Sequence, residues 1–296
     1  MRVLISGASG LLGRALVSHL RADGCDVRRL VRRASQAPDE FTWDPAAGQL
    51  DPSALEGVDV VVNLSGAGLA DHRWTDHYRR VLRASRVDST RTITQAVAEA
   101  DPKPRVLLNA SAIGWYGDTG EHAVTEEAGP GSGFLAELCR EWEAAAEPAD
   151  RAGLRVVFLR TGLVLTRQGG LLGPLLPLFR WGLGGRLGSG RQYMSWISLH
   201  DWLGAVRFLM SHDVAGPVNL TAPYPVTNAE FTKALAQQLH RPVLFWVPGF
   251  ALRIVMGEFG TESLASQRVL PDVLTRAGYR FTHSELPAAL QWALTS

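Results

Sequence analysis

The chain has 296 residues, enough for one large α/β unit or two modest domains, and its 46% hydrophobic and 20% charged residues describe a folded chain with a sizeable core. The 30 Lys and Arg side chains against 29 Asp and Glu leave a formal charge of +1, which excludes a strong overall field for nucleic acid or an anionic membrane and points to a small-molecule partner. Cys25 and Cys139 are too few for a disulfide framework and form no CxxC pattern, so no metal site is expected and a reducing cytoplasm is the expected home.

The chain opens on a short apolar run, residues 3–6, that passes straight into glycine, with none of the long apolar stretch of a signal peptide. The apolar tract 171–178 is cut by Gly173, Pro174 and Pro177 well short of a bilayer span. Leu12, Ala15, Leu16 and Leu20 recur at helical spacing up to Gly24, so the opening reads strand, turn, helix. Residues 27–31 and 58–64 follow as strands, the second nearly unbroken in apolar character, as expected where helices cover both faces of a parallel sheet. A long helix over 76–100 ends before Pro102 and Pro104, and residues 106–110 begin another strand. A helix carrying Phe134, Leu138, Trp142 and Ala145 on one face leads into a strand at 156–159. This alternation predicts a doubly wound parallel α/β sheet, a Rossmann domain over 1–165, completed by segments near 194–220.

Beyond residue 165 the pattern changes. Residues 169–190 are too rich in glycine and proline for one regular element. Order returns at 194–199, then a helix near 202–210, a strand near 218–220 and a helix whose start, Thr227-Asn228-Ala229-Glu230, has the form of a capping box. Residues 166–296 are expected to form a smaller C-terminal substrate lobe, with 245–296 as a small helical domain closing on Leu286, Leu290 and Leu294.

Gly7, Gly10 and Gly13 form a GxxGxxG loop between the first strand and helix. Glycine there permits a tight turn and a close approach of backbone to a pyrophosphate, while the helix start around Leu11 and Leu12 offers unpaired N–H groups and a positive dipole end. The second strand ends Leu30-Val31-Arg32-Arg33, where an NAD-preferring fold would carry Asp or Glu for the ribose hydroxyls. Guanidinium groups in that place suit a 2′-phosphate, so the expected cofactor is NADP and the phosphate ligands are Arg32 and Arg33. Leu64, Ser65 and Gly66 close the next strand at the carboxyl edge, where such sheets bind ligands.

With Trp196-Ile197-Ser198-Leu199-His200-Asp201 downstream, these features resemble extended short-chain dehydrogenase/reductases. Trp115-Tyr116-Gly117, Trp142-Glu143, Arg160-Thr161-Gly162 and the run from Gly184 to Gln192 narrow the resemblance to an atypical branch, the SDR39U1-type epimerase family with a C-terminal domain of unknown function. The resemblance implies NADP binding and chemistry at a carbonyl or hydroxyl carbon. Short-chain dehydrogenases use a Tyr-x-x-x-Lys pair, and the corresponding helix here, residues 133–142, lacks both groups. In the branch it resembles, Cys replaces the Lys, which implies Cys139, and Arg replaces an Asn, which implies Arg86; the upstream Ser remains as Ser111. Tyr116 is the nearest phenol that could serve as acid, while His122, Glu126 and Glu127 read as loop charges. The sequence thus supports an epimerase- or reductase-type oxidoreductase acting on a small carbonyl or hydroxyl compound, with a non-catalytic NADP(H)-binding sensor as the rival that the missing pair favours.

Overall fold

The computed structural model describes residues 1–243, 245–250, 257, 260, 262 and 264–295. The chain divides into two compact units that interleave along the sequence: Met1–Ser111, Leu138–Leu159 and Val206–Pro217 in the first, and Ala112–Glu137, Arg160–Ala205 and Val218–Ser296 in the second. Where a single cut near residue 165 was expected, each unit is assembled from three separate stretches of the chain.

The first unit holds most of the large sheet. β1 (Arg2–Ser6), β2 (Asp26–Val31), β3 (Glu40–Asp44), β4 (Gln49–Leu50), β5 (Val60–Asn63), β6 (Val106–Ala112), β8 (Arg155–Thr161) and β13 (Gly216–Leu220) line up in the order β13-β8-β6-β5-β1-β2-β3-β4. Val3, Leu4, Ile5, Val60, Val61, Val62, Val106, Leu107 and Leu108 are wholly buried, which explains their unbroken apolar run: both faces of these central strands are covered. The pairings of β1 with β2 and β5, β2 with β3, and β5 with β6 are parallel, and β4 adds an antiparallel edge. Chain order reverses between β1 and β5, which makes the carboxyl ends of these two strands the switch point of the sheet.

Three helices frame that point. α1 (Leu11–Ala22) buries Gly13, Leu16, Val17 and Leu20, the stripe its spacing predicts. α2 (Asp76–Glu99) starts at Thr75, whose hydroxyl accepts the Tyr78 N–H at 3.2 Å. α3 (Phe134–Ala144) carries Leu138, Cys139 and Trp142 in the core. The short α4 (Glu147–Arg151) then leads into β8.

The second unit packs short ribbons and helices. β7 (Ala123–Val124) pairs with β16 (Arg268–Val269), β9 (Leu163–Leu165) with β12 (Trp196–Ser198), β10 (Gly185–Leu187) with β15 (Phe245–Val247), and β11 (Tyr193–Met194) with β14 (Val226–Thr227). Completion of the large sheet by 194–220 is thus corrected in part: residues 216–220 join it, while 196–198 pair with 163–165 in a separate parallel ribbon. Its core joins Leu172, Leu176 and Phe179 of α5 (Leu172–Arg180) to Trp196, Phe231 and Leu235 of α7 (Asn228–Gln238) and to Leu286 and Leu290 of the C-terminal helix α9 (Leu286–Thr295). The capping box of α7 is present, with the Thr227 hydroxyl and the Glu230 carboxylate each serving the other's backbone N–H. The C-terminal stretch expected to be a small helical domain also holds β15 and β16, besides α9 and the five-residue α8 (Asp272–Arg276).

At the start of α6 (Leu199–Ser211), Asp201 is fully buried, and its carboxylate accepts from the Ser198 hydroxyl at 2.9 Å and the backbone N–H groups of Thr282 and His283 at 2.7 and 2.8 Å. This clasp fixes the approach to α9. His200, Asp201 and His283 crowd together, but the Asp201 oxygens are occupied by internal donors, so the cluster reads as a structural tie.

Candidate cofactor site

The three glycines of the first turn do different work. Gly7 has φ +69°, and a Cβ on it would lie 2.5 Å from the Leu64 carbonyl oxygen, so the turn and the approach of the strand-end loop both demand glycine. A Cβ at Gly13 would overlap the Gly7 carbonyl, so close packing of helix on turn demands it there. Gly10 is exposed, has an extended φ of −72°, and meets only the Gly7 oxygen, at 3.3 Å. Internal packing accounts for Gly7 and Gly13; open space in front of the helix accounts for Gly10. No side chain caps α1 and its first turn holds no acid, which leaves the N–H groups of Leu11, Leu12 and Gly13 directed at that space. These residues fit the pyrophosphate of a dinucleotide.

At the end of β2 the two arginines part company. Arg33 binds Glu40 of β3 through both guanidinium nitrogens, at 2.7 and 2.8 Å. These bonds hold the Glu40 carboxyl below the usual carboxylate range and raise Arg33. Arg32 is exposed and has no hydrogen-bond or ion-pair partner among the described residues. The two arginines expected to hold a phosphate therefore stand differently. Arg33 is committed to the β2–β3 edge and Arg32 is the one left over.

The strand ends at the switch point carry a buried polar row that the sequence reading missed. Ser6, Asn63 and Asn109 sit side by side in register on β1, β5 and β6. The Ser6 hydroxyl donates to Asn63 Oδ1 at 2.6 Å, and Asn63 Nδ2 donates to Asn109 Oδ1 at 2.7 Å and to Thr90 Oγ1 at 2.9 Å. Trp142 Nε1 donates to Thr90 Oγ1 at 3.0 Å and ties α3 in, and the Ser65 hydroxyl donates to that of Ser6 at 2.9 Å. A satisfied network of this kind fixes the backbone of Leu64, Ser65 and Gly66. The signal was a Ser or Asn following the apolar run of each of three strands, which only the register turns into one row.

Arg86 of α2 is buried beside this loop. It donates to the carbonyls of Ala67 at 3.0 Å and Leu82 at 3.1 Å, and its guanidinium lies 5.1 Å from the Trp142 ring. A Cβ at Gly66 would come within 3.1 Å of that guanidinium, so the loop needs glycine where it crosses Arg86. Burial lowers the Arg86 pKa, with nearby Cys139 acting in the opposite direction. Cys139 itself is buried within α3. Ser111, near the end of β6, donates to Glu143 Oε1 at 2.6 Å, both residues being buried, so the upstream serine carries a carboxylate partner from α3.

Tyr116 lies in the second unit, at the end of a short turn of helix spanning Ile113–Tyr116, and its ring packs with Ile113 and Val269. Its hydroxyl donates to Asn219 Oδ1 at 2.8 Å and accepts from Arg160 at 2.9 Å, and burial raises its pKa. The phenol named in the sequence as the nearest candidate acid thus has its proton engaged by an internal partner. Glu126, also in this unit, is buried rather than a solvated loop charge, accepts the Asn219 N–H at 2.9 Å, and has its pKa raised by desolvation.

Residues 3–221 match the model of the NAD dependent epimerase/dehydratase family. The chain belongs to that family. Residues 247–293 match a domain of unknown function, DUF1731, and the epimerase family protein Mb2239 of Mycobacterium bovis is 48% identical, covering 99% of this chain and 97% of its own. The epimerase family protein MW0731 of Staphylococcus aureus is 35% identical over 97% of each chain. Among solved structures, human epimerase family protein SDR39U1 with NADPH superposes with a TM-score of 0.92 at 32% identity, covering all of both chains (100% each). A nucleoside-diphosphate sugar epimerase from Corynebacterium glutamicum gives 0.83 at 35% identity over 99% of this chain, which spans 58% of that longer one. UDP-glucose 4-epimerase of Thermus thermophilus with NAD, at 17% identity and a TM-score of 0.77, shares the epimerase fold.

Proposed function

We propose that this epimerase-family chain binds NADP(H) and acts on a small carbonyl or hydroxyl compound as an epimerase- or reductase-type oxidoreductase. The observation that carries the reading is the pairing of an uncapped α1, fronted by the one glycine that packing does not require, with an uncommitted guanidinium at Arg32. The NADPH in the human SDR39U1 structure supports the same choice of cofactor. Leu11, Leu12 and Gly13 would hold the pyrophosphate through their N–H groups, Arg32 the 2′-phosphate, and Leu64, Ser65 and Gly66 would run beside the dinucleotide with Arg86 as a fixed charge behind them. The bound cofactor supplies hydride transfer; the chain's task is to position it and to manage the accompanying proton.

For that proton, Ser111 with Glu143 replaces the missing tyrosine and lysine. The Ser111 oxygen takes a proton from a substrate hydroxyl as its own proton passes to Glu143 Oε1; reversal delivers a proton to a carbonyl oxygen. NADPH turnover across a panel of aldehydes and ketones tests this. At least one substrate should oxidise NADPH, and Ser111→Ala should lower that rate by about a hundredfold or more with cofactor affinity unchanged. A rate untouched by Ser111→Ala would remove the pair from the mechanism. The rival reading, an NADP(H) sensor, is favoured by one observation: α3 carries neither a tyrosine nor a lysine. Tight NADPH binding with no turnover anywhere in the panel would select it.

A further inference from the structure

The net charge of +1 averages over a chain whose charge is unevenly placed. No Asp or Glu occurs between Arg151 and His200, a stretch that carries Arg167, Arg180, Arg186 and Arg191, and none occurs between Phe231 and Gly257. In the second unit these two acid-free stretches come together. β10 pairs with β15 in parallel register, Arg186 beside Trp246, and Arg241 Nε donates to the Arg180 carbonyl at the end of α5 at 2.9 Å. Here large apolar side chains stand in solvent. Trp181 is 82% exposed, Phe250 67%, Trp246 57% and Leu183 53%, with Leu178 and Phe245 exposed beside them. Arg180, Arg186 and Arg241, all exposed, rim the patch. α5 turns Leu172, Leu176 and Phe179 inward, so its own core is satisfied without Trp181 or Leu178.

We propose that this face of the second unit, the end of α5 with the β10–β15 ribbon, docks peripherally on an anionic lipid bilayer, with Trp181, Trp246 and Phe250 in the interfacial zone and the arginines on the headgroups. The charge decides between occupants. An isologous contact with a second copy would set the same arginines against one another across its axis, whereas anionic headgroups complement all of them. The shape agrees, because adjacent strand residues Phe245 and Trp246 point to opposite faces of a two-stranded ribbon and both are exposed. A flat protein surface covers one such face; a fluid interfacial layer takes up both. Indole rings beside guanidinium groups are the composition of interfacial anchors. No helix among the described residues is long and apolar enough to cross a membrane, so the contact is one of surface attachment.

Co-sedimentation of the full chain with vesicles containing phosphatidylglycerol, against vesicles of phosphatidylcholine alone, tests this. The chain should bind the anionic vesicles, weaken as salt rises, and show blue-shifted tryptophan emission when bound. The double variant Trp181→Ser with Phe250→Ser touches only exposed side chains and should lower binding by roughly tenfold or more. Arg186→Glu should lower it by about fivefold or more while both variants keep the parent's melting temperature. Absence of binding to anionic vesicles, or binding that neither variant changes, would overturn the proposal. A concentration-dependent dimer that Trp181→Ser dissociates would overturn it too, and would assign the face to a second copy.

Discussion

Arg32 and Arg33 are neighbours in the chain and differ in what they are free to do. A charge-assisted contact to a 2′-phosphate is worth about 1.5–3 kcal/mol, so Arg32→Ala should weaken NADPH roughly 10–150-fold and leave NADH nearly unchanged, as read by fluorescence titration. Arg33→Ala should preserve the ratio of the two affinities and act on stability instead. Glu40, held low chiefly by its bonds to Arg33, contributes stability above its unfolded pKa of about 4.3 and loses it as pH falls through the lower folded value. The acid limb of a melting-temperature profile should accordingly be shallower in Arg33→Ala. The sequence shows two arginines at a strand end and the charge they bring. That Glu40 claims one of them follows from the parallel pairing of β2 with β3, which places Glu40 beside Arg29, four residues before Arg33. Tyr116 teaches the same lesson, since its commitment to Asn219 spans more than a hundred residues of chain that no local pattern connects.

At the scale of elements, the glycine loop separates fold from function. Gly10→Val should give a folded protein, by circular dichroism and melting, that no longer binds NADPH, because the added side chain would occupy the space in front of α1. Gly13→Ala should instead lower the melting temperature or prevent folding, because its Cβ collides with backbone of the turn. The clasp at the start of α6 carries a pH dependence. Burial is the main cause that lowers the His283 pKa, opposed by Asp201, so the unfolded chain takes up the proton first. Stability is full above the unfolded value of about 6.5 and falls as pH drops from there toward the folded value. His283→Asn, which keeps a polar atom near Ser198, should flatten the melting profile over that window; an unchanged slope would place the titration elsewhere. Strand, turn and helix at the start of the chain were legible because their apolar periods are long. The ribbons of the second unit were not, because two or three residues are too few to display a period.

The molecule as a whole belongs to the NAD dependent epimerase/dehydratase family, and its fold, from the glycine loop through the switch point between β1 and β5, was open to reading from the alternation of apolar strands and helices. The interleaving of two units was not open to it, since a strand's residues and the loop that leaves it are contiguous in sequence and diverge only in space. The proposed preference for NADP(H) rests on Arg32 standing where an acid would exclude the 2′-phosphate. Titration of the wild-type chain with NADPH and with NADH in a calorimeter, at one pH and one salt concentration, measures it directly. The account predicts that NADPH binds at least about tenfold more tightly; equal affinities, or a preference for NADH, would contradict it.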